Sequence, residues 1–465
     1  MNSKLKIISQ NARRLLIGKA LELVSIASDD NLVRLSRILE KLTRDPYHVD
    51  ILKRFRQAIK GNPGYVQAVR RINNLNPSVK RKLISNLIIN SMIISAEKRE
   101  EIDKLEAWRP PSLLVIDVTD RCNLKCDGCW AGAYHSKEGD ISYELLNRIM
   151  REAKELGIYF ITLAGGEPFI RDDIMRLFRE HNDIYFLVYT NGICITKNIA
   201  KGIAELGNVA PAISVEGLEK ETDARRGNGV HKRILWVMKN LRKEGVLFGF
   251  STMITRHNSE NASSDEFIDF YIKQGCCFGW YFQYIPIGRN PNTALMSTPE
   301  QRNRLRERTF KIRETKPILV GDFWNDGMLA GGCIAGGRRY IHITNKGDAE
   351  PCVFAHFSVD NIKNKSLKQV INSDFFKAIR KAQPYSANKN LLAPCMIIDH
   401  PHVLRGICKK YRAKPTQARG ESLIEDPKIT DFLDNYSKEF KAITDPIWET
   451  RHKACCEHWF GKESY

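Results

Sequence analysis

From Ser112 onward, short apolar runs alternate with amphipathic helical stretches, and this alternation constrains the fold more than any other property of the chain. Runs of strand character lie at Leu113–Thr119, Tyr159–Leu163, Ile184–Tyr189, Ala210–Val215, Leu247–Ile254 and Trp280–Pro286. Helical spacing occupies the gaps at Tyr143–Leu156, Lys197–Leu206, His231–Lys243 and Ser264–Gln274. A strand returning parallel to its predecessor needs a helical crossover, and such crossovers are right-handed in almost every sheet. Six units of this kind predict an α/β fold, an open, partial TIM-like (β/α)6 barrel over residues 111–290. Residues 1–110 read as a basic helical domain, set off by Trp108, Arg109, Pro110 and Pro111. After the barrel come a linker and charged helix at 291–330, a small cysteine-rich extension at 331–412 and a tail at 413–465.

Barrel enzymes place their chemistry in the loops at the C-terminal ends of the strands. The first such loop reads Val-Thr-Asp-Arg-Cys-Asn-Leu-Lys-Cys-Asp-Gly-Cys-Trp and carries Cys122, Cys126 and Cys129. An iron–sulfur cubane takes about one thiolate per iron, so three cysteines leave one iron with an open coordination site. A structural zinc site would use paired motifs and close all four positions, and no second pair lies nearby. One βα unit later stands Ala-Gly-Gly-Glu-Pro-Phe, residues 164–169, where two glycines permit close backbone approach. Thr190-Asn191-Gly192 closes the third strand, Ile213-Ser214-Val215-Glu216-Gly217 the fourth, and Asp-Ala-Arg-Arg-Gly with Arg225 and Arg226 follows.

In this order the motifs resemble those of the radical S-adenosylmethionine (SAM) enzymes. The resemblance implies that Cys122, Cys126 and Cys129 hold a 4Fe-4S cluster whose open iron is chelated by the amino and carboxylate groups of SAM. Reductive cleavage then yields a 5′-deoxyadenosyl radical, which abstracts hydrogen from a peptide, lipid or small metabolite. It further implies that Gly165, Gly166, Glu167 and Pro168 form the motif that binds the SAM amino group. Ser214 matches a position that contacts the ribose or carboxylate, and the Arg226 fork suits a carboxylate, with Arg225 as the alternative. A one-electron donor such as flavodoxin or ferredoxin is the implied partner. The chain departs from the family at Gly128, where an aromatic residue is common; Trp130 follows the last cysteine instead.

The extension carries its own thiols. Cys333 precedes Gly347 by 13 intervening residues, Cys352 follows, and Tyr340–Thr344 leads into an Asn-Lys-Gly-Asp turn. This resembles the SPASM and twitch extensions, and the likeness implies a second, auxiliary 4Fe-4S cluster held by Cys333, Cys352, Cys395 and Cys408. Zinc takes the same donor set and is the competing occupant. Cys194, Cys276 and Cys277 read as packing residues, while Cys455 and Cys456, near His452 and His458, are open either to tail packing or to supplying an extra ligand. Strand alternation places Asp117 and Thr119 on one face and Tyr281 and Gln283 on another; either a polar lumen or pairing with nearby loops accounts for them.

Of the net charge of +19, residues 1–110 contribute +11, from 22 Lys and Arg against 11 Asp and Glu. Apolar stripes at Leu15, Leu16, Ala20 and Leu23, and at Leu32, Leu35, Leu39 and Leu42, predict helices there. Such helices either pack on the barrel or bring a cytoplasmic enzyme to an anionic membrane. A spanning helix is not expected, because Ser85, Asn86, Asn90 and Ser91 interrupt the apolar stretch Leu83–Ile94. Twelve cysteines without a clean signal pattern fit a reducing compartment. The alternative to an enzyme is a basic iron–sulfur or zinc protein that binds nucleic acid; it would have no use for the glycine, serine and arginine motifs of a SAM cavity.

Overall fold

The computed structural model describes residues 29–42, 63–132 and 140–454, with isolated positions between 49 and 61. One sheet runs in the order β7-β6-β5-β4-β3-β2-β1-β8-β9. The six predicted runs are β1 (Leu113–Thr119), β2 (Phe160–Gly165), β3 (Tyr185–Thr190), β4 (Val209–Ser214), β5 (Gly249–Ile254) and β6 (Phe278–Gln283). All neighbours among them pair in parallel.

Two further parallel strands extend the sheet. β7 (Leu319–Asp322) pairs with β6, so the stretch expected as linker and helix supplies a strand. β8 (Tyr340–Ile343), expected in the extension alone, pairs with β1 from Leu113↔Tyr340 to Ile116↔Ile343. Its antiparallel partner β9 (Ala349–Glu350) completes the sheet. β7 and β8 do not pair, so the barrel remains open. The extension is therefore built onto the barrel edge rather than hung from it.

Strand residues alternate between two apolar environments. Leu114, Ile116 and Val118 are fully buried in the core, while Leu113 and Val115 line the lumen. On β6 the two polar residues part: Gln283 lines the lumen and accepts from Ser297 Oγ at 2.5 Å, whereas Tyr281 is paired outside it. Trp280 and Phe282 also line the lumen, and Tyr281 packs against Phe250 with its hydroxyl donating to the Ala262 carbonyl at 2.7 Å. Cys276 is fully buried, as expected of a packing residue.

The basic N-terminal segment closes the barrel floor. A helix spans Asp29–Leu42, as the leucine spacing there predicts, and the stretch from Pro63–Arg70 through Arg71–Asn74, Pro77–Lys82 and Leu83–Ile94 to Ser95–Glu106 binds the turns that precede successive strands. Ser95 Oγ bonds Gly157 O before β2, Asn86 Nδ2 reaches Asn182 O and Ile184 O before β3, and Arg71 reaches Ile272 O and Pro317 O before β6 and β7. Gly207 lies so close to Ser78 O that a Cβ would approach it to 2.5 Å. Leu75, Val79 and Leu83 plug the lumen floor against Tyr185, Leu187, Ala210 and Ala212. Among the described residues no helix is long and apolar enough to cross a membrane. The stripe from Leu15 to Leu23 lies outside the described residues, as do Cys455, Cys456 and His458.

Candidate active site

The loop after β1 brings Cys122, Cys126 and Cys129 to the rim of a lumen cavity of about 230 Å³. Backbone contacts fix where this loop sits. Gly166 N donates to Thr119 O at 2.8 Å and Glu167 N to Arg121 O at 2.9 Å, clamping the β2 loop against the cysteine loop. A Cβ on Gly165 would lie 2.3 Å from Thr119 O, and one on Gly166 would lie 2.1 Å from Arg121 O. Gly165 also has φ +109°, outside the ordinary range of L side chains. Both glycines line the cavity.

Glu167, expected to accept the SAM amino group, is turned into the loop instead. It is fully buried, with Oε1 accepting from Phe169 N and from Thr190 Oγ1 at 2.6 Å and Oε2 accepting from Asn191 N at 2.7 Å. Burial pushes its carboxyl up, against the pull of these donors. Its task in this geometry is to lock the β2 and β3 loops together. Pro168 opens the single turn Pro168–Ile170 behind it.

Across the rim, Arg225 and Arg226 share one oxygen of Glu216, at 2.5 Å each. Glu216 Oε2 is buried without a hydrogen-bond partner among the described residues. Two guanidinium groups against one carboxylate leave a positive surplus on the cavity wall, the setting a carboxylate ligand requires. Arg225 Nε also holds Asp127 O at 2.9 Å, inside the cysteine loop, so both arginines of the motif are engaged. Ser214 lines the cavity with Ser251, which the sequence reading missed; their hydroxyls are 3.3 Å apart. The strand pairing Ser214↔Ser251 is the signal that would have found it.

The donor set fits a cubane. Three thiols from one loop face one cavity, and two N–H donors point at their sulfurs: Asn191 Nδ2 is 3.8 Å from Cys122 Sγ and Arg226 Nη1 is 3.8 Å from Cys126 Sγ. Burial holds the Cys122 thiol up at about 11, so ligation there must displace a proton. Among the described residues no three His, Cys, Asp or Glu side chains are gathered tightly enough for a single metal ion. Cubane ligands stand further apart, because each binds a different iron.

Gly128 leaves space that the Tyr284 ring takes. The glycine has φ +61°, and a Cβ there would lie 2.8 Å from Tyr284 Cε2. Trp130 lines the cavity and stacks on His356 at 6.2 Å and 9°. Beneath it, a buried chain joins barrel and extension: His342 stands 3.2 Å from Asp117 and 2.6 Å from Glu350, with His356 3.3 Å from the same Glu350 oxygen. Burial alone would lower His342; Asp117 and Glu350 outweigh it and hold the imidazole up at about 10, so it carries charge at neutral pH. Asp117 is thus paired with the extension. Thr119, on the same strand, donates to Asp140 at 2.6 Å.

In the extension, Cys333, Cys352 and Cys395 line a separate cavity of about 160 Å³. Burial pushes Cys352 up to about 12 and raises Cys395 well above the usual thiol range. Cys408 is not among the residues lining this cavity. It is buried on helix Pro401–Tyr411, and burial alone raises its thiol to about 12. The 12 intervening residues carry the chain from Cys395 into that helix.

Open parallel barrel, three-thiol first loop and glycine-lined lumen together define the radical SAM class. Residues 116–271 match the family model of the Radical SAM superfamily and residues 333–396 that of the SPASM iron-sulfur cluster-binding domain. The chain carries a radical SAM domain and a SPASM domain, and the cofactors of these domains are SAM, the 4Fe-4S cluster at which SAM is reductively cleaved, and auxiliary iron–sulfur. It is similar to mycofactocin maturase MftC of Mycobacterium tuberculosis, 26% identical over 64% of this chain and 78% of that protein. It is also similar to the AdoMet-dependent heme synthase of Methanosarcina barkeri, 22% identical over 68% of this chain and 95% of that protein. Streptococcus suis SuiB, solved with the precursor peptide SuiA, shares the fold with a TM-score of 0.54 at 20% identity, over 71% of this chain and 80% of SuiB.

Proposed function

We propose that the chain modifies a peptide, with a bulky apolar residue of that peptide entering the lumen. The observation that carries this reading is the lumen wall: Trp130, Leu187, Tyr189, Trp280, Phe282 and Phe354 offer aromatic and aliphatic surface, with the charged groups confined to the rim. A maturase among the relatives and a fold neighbour solved with a precursor peptide support the peptide class.

Bound at Cys122, Cys126 and Cys129, the cluster would supply the electron that cleaves the SAM sulfonium. The protein's own part is placement. Gly165 and Gly166 give the amino acid end of SAM room against the backbone, the Arg225–Arg226 pair neutralises its carboxylate, and Ser214 with Ser251 offers hydroxyls to the ribose. The apolar lumen keeps water from a carbon radical. Cys333, Cys352 and Cys395 hold the auxiliary cluster, and a one-electron carrier of the flavodoxin or ferredoxin type reduces the enzyme. The enzyme works in the cytoplasm. Its N-terminal 62 residues, with +7 of the basic excess, are the part left for contact with an anionic membrane.

Anaerobic incubation of reconstituted protein with SAM and dithionite tests the reaction. 5′-Deoxyadenosine should form, and Cys126→Ser should abolish it, because a cubane held by two thiolates loses iron. Full turnover in that variant would overturn the ligand assignment. Stimulation by a tetrapyrrole and by no peptide would overturn the substrate class.

A further inference from the structure

Trp280, Phe323, Ile334 and Tyr340 line both the lumen and the cavity of Cys333, Cys352 and Cys395. One layer of side chains therefore separates the two. Of the four, Tyr340 makes a polar contact with a thiol. Its hydroxyl donates to Cys352 Sγ at 2.9 Å and accepts from Val353 N at 3.3 Å. A hydroxyl has a single proton, and with a backbone donor on its lone pair that proton is directed at the sulfur. The side chain is fully buried, so water does not compete for the bond. Val353 and Phe354, the two residues that follow Cys352, both line the lumen. The residues next to Cys352 thus form the chamber wall.

We propose that Tyr340 is a positioning residue that sets the reduction potential of the auxiliary cluster from the wall of the substrate chamber. The inference rests on the reading that Cys352 is a ligand of that cluster. Reduction adds negative charge to the cluster sulfurs, and a hydrogen bond to a ligating thiolate stabilises the reduced form more than the oxidised one. Tyr340 therefore raises the potential. Its ring also touches whatever occupies the lumen, so the same residue couples chamber and cluster.

The test uses full-length protein in which Cys122, Cys126 and Cys129 are alanine, leaving the auxiliary cluster alone. After anaerobic reconstitution it should hold about four irons, and the midpoint potential is read by an EPR-monitored titration. Tyr340→Phe keeps the ring and removes the proton, and should shift the potential to a more negative value. Replacing Tyr340 by 3-fluorotyrosine, a stronger donor, should shift it the other way. Phe323→Leu, which alters the shared wall without touching a sulfur, should leave it in place. Opposite shifts from the two tyrosine replacements support the proposal even if one variant assembles poorly and is compared at equal iron content. An unchanged potential in both, or an equal shift in Phe323→Leu, overturns it. Zinc with almost no iron in the parent protein would overturn the cluster reading itself, a different result from an iron-loaded protein insensitive to Tyr340.

Discussion

Gly166 shows how little freedom the cysteine loop leaves. Its missing Cβ is replaced by the Arg121 carbonyl at 2.1 Å from the ideal position, and backbone on both sides cannot yield as a flexible side chain would. Gly166→Ala should cost about 1–3 kcal/mol, the usual price of overpacking, seen as a lower melting temperature, and should depress 5′-deoxyadenosine formation by displacing the thiols. A variant that melts and turns over like the parent would show that the loop relaxes. The glycines were legible in the sequence because permissive backbone is needed only where something approaches closely. The direction of Glu167 was not, since its partners Thr190 and Asn191 arrive from the next βα unit. Cys408 escaped for a related reason: sequence gives a thiol's chemistry, and packing decides whether it reaches a cavity.

Helix Pro299–Thr315 is the element that fixes the auxiliary site. Arg302 on it makes a bidentate pair with Asp399, at 2.6 and 3.1 Å, and both side chains are fully buried. Its guanidinium lies 3.8 Å over the Phe440 ring on helix Pro427–Ile447. Asp399 Oδ2 also accepts from Cys395 N at 2.9 Å. Removing one partner of a buried pair leaves the other charge unpaired, so Asp399→Asn should cost about 3–5 kcal/mol in urea unfolding. It should also strip iron from the extension before the barrel. Equal stability would mean that water or Asn325 takes over the arginine. At this scale the long, periodic elements were readable. β7 was not, because Leu319–Asp322 has four residues, an exposed leucine and a glycine, and its strand character comes from the pairing with β6.

Over the whole molecule, the N-terminal helices act as a floor. The predicted helical character and charge were visible in the sequence, but their docking was not, since it depends on turns spread from Gly157 to Pro317. A chain beginning at Trp108 loses Leu75, Val79 and Leu83 from the plug, about 1.5–3 kcal/mol of burial for each side chain. It should aggregate, or melt well below the full chain in a calorimetric scan. A truncated protein that is monomeric and equally stable would return these helices to a role away from the barrel.

A floor of this kind has a kinetic consequence. With the base of the lumen stopped by Val79 and its neighbours, a reactant bound there does not enter from that end. If SAM binds at the rim residues proposed above, the apolar walls lie below it, and a substrate side chain seated against those walls has to enter before the rim is filled. Turnover would then follow a compulsory order, substrate before SAM, and an excess of SAM would trap the enzyme in a dead-end complex instead of hastening the reaction.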